Sequence, residues 1–260
     1  MFRENCLKRK IAAGEAVYGF WLGLGDPALA EMASAAGYDF VIIDNEHGQQ
    51  TYAQTLDLMR AARAGDATVM VRPSGQHADE IKRLMDMGAE ALMVPMIQSA
   101  GEAEAMVAAA LYPPAGVRGY AAPGVRASGY GMVADYAARA NDELFFVAQI
   151  ETRQAIDNVA AIAGVAGVDM LFLGVGDLSA TSGFLDALDA PEVLPEIRRF
   201  EAAAAAAGVP TGTIYRPGLG ADDLLNDGYK LIAGMTDATL FRAGVLADVA
   251  QFAAAKKARG

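Results

Sequence analysis

Residues 144–179 read LFFVAQIETRQAIDNVAAIAGVAGVDMLFLGVGDLS. An apolar run, Leu144–Ile150, is followed by an alanine-rich stretch that favours helix, and then by a second apolar run, Asp169–Leu173. Short runs that are apolar on both faces suit strands buried in a parallel sheet, and the stretch between them suits the helix that a parallel connection needs. Each run also ends in polar residues: Gln149-Ile150-Glu151 after the first, Gly174-Val175-Gly176-Asp177 after the second.

Working outward, the same unit recurs along the chain. The other candidate strands are Val17–Leu24, Asp39–Asp44, Ala67–Arg72, Ala91–Met96, Val209–Ile214 and Tyr229–Ala233. Eight strand–helix units in 260 residues predict one α/β domain, a (β/α)8 TIM barrel spanning residues 1–260, with no linker and no internal sequence repeat. Asp26-Pro27 opens one helix and Asp79 another, Gly37, Gly65 and Gly88 close three, and the run Glu201–Ala207 stops at Gly208. The irregular segment is YPPAGVRGYAAPGVRASGY, residues 112–130, between the fourth helix and a short helix near Val133–Ala140. Loops of that length inside a compact domain are usually functional or disordered.

Hydrophobic residues make up 53% of the chain and charged residues 20%, enough for a sizeable core. The formal net charge of −11 disfavours nucleic acid and anionic membranes as partners and favours a small-molecule substrate. Cys6 is the only cysteine, so no intrachain disulfide forms, and a reducing cytoplasm is the expected location. The N-terminal residues lack the apolar stretch of a signal peptide, and the apolar runs read as interrupted well short of a membrane span.

In a TIM barrel the reactive side chains follow the C-terminal ends of the strands. Glu151 and Asp177 stand at adjacent strand ends, where two close carboxylates repel unless a proton or a cation lies between them. A divalent cation with open positions, Mg²⁺, Mn²⁺ or Co²⁺, answers that repulsion and suits a substrate chelating through two oxygens, as a 2-oxo acid does. The plain alternative is that each acid caps the helix it precedes.

His47 lies three residues after Asp44, where a carboxylate can orient the ring and raise its basicity; a surface histidine satisfied by a hydrogen bond is the other reading. Arg72 ends an apolar strand and so either reaches the mouth, to bind a carboxylate or an oxyanion, or forms a structural pair with Glu46 or Glu151. Trp21 reads as pocket wall, Gln149 as an orienting residue on the same strand face as Glu151, and His77 as a helix-entry residue. A Schiff-base aldolase needs a lysine at a strand end, and Lys8, Lys10, Lys82, Lys230, Lys256 and Lys257 supply none. Gly174-Val175-Gly176 lacks the third glycine of a dinucleotide fingerprint.

Seven ordered segments carry a resemblance: GFWLGLGDP (19–27), IDNEHG (43–48), VRPS (71–74), LMVPMIQ (92–98), YPPAGVRG (112–119), QIET (149–152) and GDLS (176–179). With these the chain resembles the HpcH/HpaI aldolase family, the class II pyruvate aldolases of the 4-hydroxy-2-oxoheptanedioate and 2-keto-3-deoxy sugar-acid type. The resemblance implies Glu151 and Asp177 as ligands of a divalent metal, His47 with Asp44 for acid–base chemistry, and Arg72 steadying a pyruvate enolate. It also implies Gln149, Trp21 and the Gly174-Val175-Gly176 turn around the substrate, and a hexamer of dimers exchanging the helix at about 237–257. The chain departs from the family at Val175, where proline is common, and at Asn45, where glycine is. The Val175 change is expected to loosen the loop that carries Asp177.

The leading function is therefore reversible aldol chemistry on 4-hydroxy-2-oxo acids, giving a 2-oxo acid such as pyruvate plus an aldehyde. Oxaloacetate decarboxylation and acyl-CoA lysis on the same barrel are rivals, as is a non-catalytic barrel that binds a metabolite. A homo-oligomer is expected from the apolar segment Leu240–Phe252.

Overall fold

The computed structural model describes residues 2–259 apart from Asp186 and Pro217. Eight parallel strands close into a barrel in sequence order: β1 Val17–Leu22, β2 Phe40–Asp44, β3 Thr68–Arg72, β4 Ala91–Val94, β5 Phe145–Ile150, β6 Met170–Leu173, β7 Thr211–Ile214 and β8 Leu231–Thr236. The helices are α1 Cys6–Ala12, α2 Pro27–Ala35, α3 Tyr52–Ala61, α4 Ala78–Met87, α5 Ala100–Ala110 and α6 Tyr136–Arg139. They continue with α7 Arg153–Asp157, α8 Val159–Ala163, α9 Val175–Thr181, α10 Leu194–Ala207, α11 Ala221–Asn226 and α12 Asp237–Lys257.

Strand residues alternate between two cores, as the period of two in a strand requires. Val41, Ile43, Val69, Val71, Phe146 and Leu171 face outward and pack with the helices, while Phe40, Ile42, Met70, Phe145, Val147 and Met170 fill the barrel. Leu7 and Ile11 of α1 join the inner core. Gly19 makes room within it, since a Cβ there would stand 2.2 Å from the Phe40 ring. Following this parity to the strand ends turns Asp44, Arg72, Gln149 and Glu151 inward, toward the C-terminal mouth.

Local signals account for several boundaries. Asp26 accepts a hydrogen bond from Ala28 N and caps α2, and Gly88 and Gly208 end α4 and α10 in the left-handed conformation that costs glycine little. Gly65 differs from Gly88: it is extended, with φ −134°, and ends a single turn of 3-10 helix. Asp79 lies in the first turn of α4, whose cap is His77.

The segment 112–130 is an ordered, packed loop. Its Arg118 is buried, donates to Asp86 at 2.6 Å and to Tyr136 at 3.2 Å, and stacks over the Tyr112 ring at 4.2 Å. Tyr112, Ala122, Ala127, Tyr136 and Ala140 form a small core of their own.

The helix α12 corrects one expectation. It runs 21 residues, and an 18-residue stretch of it has a mean hydropathy of 1.2, long and apolar enough by length and composition to cross a membrane, so its apolar residues do not stop well short of a span. Of its residues only Asp237 is buried. Leu240, Phe241, Val245, Leu246, Val249 and Phe252 are all exposed.

Candidate active site

A cavity of about 520 Å³ opens at the C-terminal mouth, lined by strand ends from both sides of the barrel. Asp44 and Arg72 are register partners on β2 and β3, and the pairing brings their side chains together. Arg72 Nε and Nη2 donate to Asp44 Oδ1 and Oδ2 at 2.9 and 2.7 Å, a two-point fork. Arg72 Nη1 stands 2.8 Å from Glu46 Oε2, and the guanidinium lies 4.7 Å from the Trp21 ring centroid. Trp21 Nε1 in turn donates to Asp44 Oδ2 at 3.0 Å. Burial disfavours the charged Asp44 carboxylate, but the hydrogen bonds and charge of Arg72, with help from Trp21, hold its pKa below the usual range.

This geometry revises the Asp44–His47 pairing. Asp44 accepts from the backbone N–H groups of Glu46 and His47 at 3.1 and 3.2 Å, and its carboxylate is otherwise taken by Arg72 and Trp21. The His47 imidazole lies on the rim, 65% exposed, with Nε2 3.8 Å from Glu46 Oε2. Chain proximity favoured the histidine; sheet register favours the arginine.

Glu151 follows β5 and is almost wholly buried. Gln149 Nε2 donates to its Oε1 at 2.9 Å and Met96 N–H to its Oε2 at 2.9 Å. Gly174 permits the carboxylate to sit there, since a Cβ on residue 174 would fall 2.2 Å from Glu151 Oε1. Burial raises the Glu151 pKa to about 7, the Met96 N–H works against the rise, and the Asp177 charge adds to it. Asp177, partly exposed, sits in the first turn of α9.

Neither acid is a helix cap. Thr152 caps α7 and Gly174 precedes α9. Val175, fully buried, is the first residue of α9 and packs into the outer core, so the segment that carries Asp177 is a packed helix turn rather than a loosened loop. A proline is also compatible with that first helical position. At the other departure, Asn45 Oδ1 accepts from Thr55 Oγ1 at 2.9 Å and ties the β2 end to α3.

Several contributors carry little sequence signal. Met96 adopts φ +55°, which aims its N–H at Glu151, and Gln76 Nε2 holds the Met96 carbonyl at 2.7 Å. Asp237 accepts from Gly23 N and Leu24 N, at 3.0 and 2.9 Å to its Oδ2, fixing the loop after β1. In the wall from β7 and β8, Ile214 and Tyr215 stand at the end of strand 7, and Met235 lies beyond the expected end of strand 8 at Ala233. His77 caps α4 by position, without a side-chain hydrogen bond.

The family model for HpcH/HpaI aldolase/citrate lyase matches residues 17–243, from β1 into α12. The chain belongs to the HpcH/HpaI aldolase/citrate lyase family. It is 40% identical over 241 residues to the 4-hydroxy-2-oxovalerate aldolase of Novosphingobium aromaticivorans, covering 92% of this chain and 91% of that protein. It is 38% identical over 257 residues to the 4-hydroxy-2-oxo-heptane-1,7-dioate aldolase of Salmonella paratyphi B, covering 99% and 98%. Among solved structures, an HpcH/HpaI aldolase/citrate lyase family protein from Burkholderia cenocepacia J2315 superposes with a TM-score of 0.89 at 32% identity, over 96% of this chain and 99% of that one. Within the family barrel, the segment that holds Glu151, Gly174 and Asp177 is one cavity wall, and Asp44, Arg72 and Trp21 form another.

Proposed function

We propose that this protein is an aldolase that makes and cleaves 4-hydroxy-2-oxo acids, releasing pyruvate or a close 2-oxo acid plus an aldehyde, with Glu151 and Asp177 holding a divalent cation. The observation that carries this reading is the pair of carboxylates at adjacent strand ends facing the same cavity as Arg72. Relatives named as aldolases for 4-hydroxy-2-oxovalerate and 4-hydroxy-2-oxo-heptane-1,7-dioate point the same way.

The residues present fit a cation. Glu151 is buried beside a second acid, and Gln149 Oε1, also buried in the cavity lining, has no hydrogen-bond partner. Among the described residues no third Asp, Glu, His or Cys completes a metal cluster, which leaves coordination positions for water and for substrate oxygens. Mg²⁺, Mn²⁺ or Co²⁺ suits such a set of hard oxygen donors. When bound, the cation polarises the keto group of a 2-oxo acid and acidifies the adjacent methyl protons.

The rest is the work of the chain. Arg72, pinned by Asp44 and Glu46, still has N–H groups free on its terminal nitrogens to face the oxygen that gains charge as the enolate forms. Gln149 orients Glu151 through its amide. His47, on the rim beside Glu46, exchanges protons between the reacting carbon or hydroxyl and solvent through water. Trp21 backs the guanidinium and closes the wall. Pyruvate release from 4-hydroxy-2-oxopentanoate, assayed with added Mn²⁺ and again with excess chelator, tests the reading; release indifferent to both, or none at all, rejects it.

The raised pKa of Glu151 sets a pH dependence. Its carboxyl must lose a proton to bind a cation, so affinity is expected to fall as pH drops through about 7, approaching tenfold per pH unit. In the metal-free protein the folded pKa lies above the ordinary value of 4.5, so the native state holds the extra proton and stability falls as pH rises from 4.5 to 7. Calorimetric titration of Mn²⁺ at pH 8, 7 and 6 checks the first statement, and a flat affinity contradicts it.

Self-association belongs to the same reading. The exposed apolar residues of α12 stand beside a groove between α2 and α12, of about 540 Å³, lined by Phe20, Leu29, Met32, Tyr38 and Val245. A second copy that lays its own α12 against this groove covers both surfaces, as in a hexamer of dimers exchanging residues 237–257. Arg242 and Asp248 within the helix suit a protein partner better than hydrocarbon. A monomer in sedimentation at micromolar concentration contradicts this. Exposed, unpaired Cys6 suits a reducing compartment such as the cytoplasm.

A further inference from the structure

We propose that α12 couples self-association to catalysis: a second copy lying against α12 fixes the first turn of the helix, and Asp237 in that turn is a positioning residue that holds the loop after β1 as the site needs it. The inference rests on the aldolase and self-association readings above and goes beyond both by making the active site depend on the assembly.

Asp237 stands where the two features meet, lining both the mouth cavity and the groove between α2 and α12. Its buried carboxylate accepts from Gly23 N, Leu24 N and Ala238 N, the last at 2.7 Å, and so ties the loop after β1 to the start of α12. The Gly23 carbonyl accepts from Gln49 N at 3.0 Å, which draws in the loop after β2. Two residues before Gly23 is Trp21, a register partner of Thr236, the cap of α12. From Trp21 the contacts run on to the reacting end, through its bond to Asp44 and its stacking with Arg72. A shift of Asp237 therefore moves the wall behind the guanidinium.

What holds Asp237 is the helix that it begins. Its bond from Ala238 N, and that from Thr239 N to Thr236 Oγ1 at 3.0 Å, belong to a helical first turn. Yet α12 packs chiefly against β1 and β8, and beyond Asp237 none of its residues is buried. Helices in proteins owe most of their stability to packing an apolar face. In a single copy the rest of α12 lies in solvent, and its first turn has nothing behind it to resist fraying. Phe241, Val245, Val249 and Phe252, at i, i+4, i+8 and i+11, form one exposed stripe, the pattern that seats a helix on a packed partner. A second copy is the occupant because the same chain supplies both the stripe and the apolar groove beside it, so a two-fold pairing covers each twice.

The test separates association from the site by distance. Val249→Glu combined with Phe252→Glu puts charge on the stripe about 18 Å and more along the helix from Asp237. This double variant of the full chain is expected to sediment as a monomer and to keep its Mn²⁺ affinity. Its metal-dependent exchange of pyruvate methyl protons should slow by about ten- to a hundredfold per folded chain, the cost of a misplaced wall. Asp237→Ala is expected to stay associated and to slow exchange as much, again with Mn²⁺ affinity kept. Undiminished exchange in either variant overturns the coupling, as does a loss of exchange that only follows lost Mn²⁺ affinity. A double variant that stays associated overturns α12 as the contact. The unmodified protein separates the levels. If it associates without exchange, the aldolase reading falls; if it exchanges as a monomer, self-association falls; each takes this inference with it.

Discussion

Glu151→Gln and Asp177→Asn are each expected to remove tight divalent-metal binding and to lower turnover by on the order of a thousandfold or more, with the barrel still folded. The size follows from losing several kcal/mol of charge stabilisation on the keto oxygen, at about 1.4 kcal/mol per tenfold in rate. The folding expectation follows from the geometry around each acid. A glutamine at 151 keeps an oxygen to accept from Met96 N–H, and it removes a carboxylate whose burial already pushes its pKa to about 7. Asp177 is partly exposed and caps no helix, so its amide costs little. Calorimetric titration of Mn²⁺, alongside thermal melts, reads both quantities. Undiminished affinity in both variants rejects these two residues as the ligand pair.

Arg72→Ala is expected to damage stability and chemistry together. The guanidinium is the counter-charge for a buried Asp44 carboxylate and for Glu46, so its loss leaves unpaired charge in the barrel. Breaking a buried pair in this way costs about 3–5 kcal/mol, a drop in Tm on the order of 10 °C for a domain of this size. Activity per folded molecule should also fall by on the order of a hundredfold to a thousandfold, since the developing oxyanion loses its donor. Arg72→Lys keeps the charge without the planar fork that spans both Asp44 oxygens, so it should recover only part of either loss. Rates normalised to the folded fraction separate the effects. Near-wild-type exchange of pyruvate methyl protons in folded Arg72→Ala defeats the enolate role and leaves Arg72 as a structural partner alone.

The barrel is legible in the sequence because most strands are buried on both faces and read as short apolar runs that no amphipathic helix imitates, β7 with Thr-Gly-Thr-Ile being the weakest of them. The ends are less so. β4 stops at Val94, ahead of Pro95 and the left-handed Met96, although the apolar character continues to Met96. β8 starts later and runs to Thr236, through Gly234, which carries no strand signal. At the mouth, strand parity alone turns Asp44, Arg72, Gln149 and Glu151 inward. It does not say which side chains meet. Asp44 and His47 are three residues apart, yet Asp44 pairs with Arg72, 28 residues away, because the β2–β3 register makes them neighbours. The Met96 amide on Glu151 and the apolar wall at Ile214, Tyr215 and Met235 are likewise products of closure, since they depend on how distant loops converge.

Under the proposed function, these side chains form and hold a 2-oxo acid enolate with the help of a divalent cation. Deuterium exchange into the methyl group of pyruvate in D₂O, followed by proton NMR with no aldehyde present, tests it most directly. Exchange well above the protein-free rate with added Mn²⁺, falling to that rate with excess chelator and returning on resupply, is the predicted result. Exchange at the protein-free rate across Mg²⁺, Mn²⁺ and Co²⁺, or exchange that persists unchanged in chelator, contradicts it.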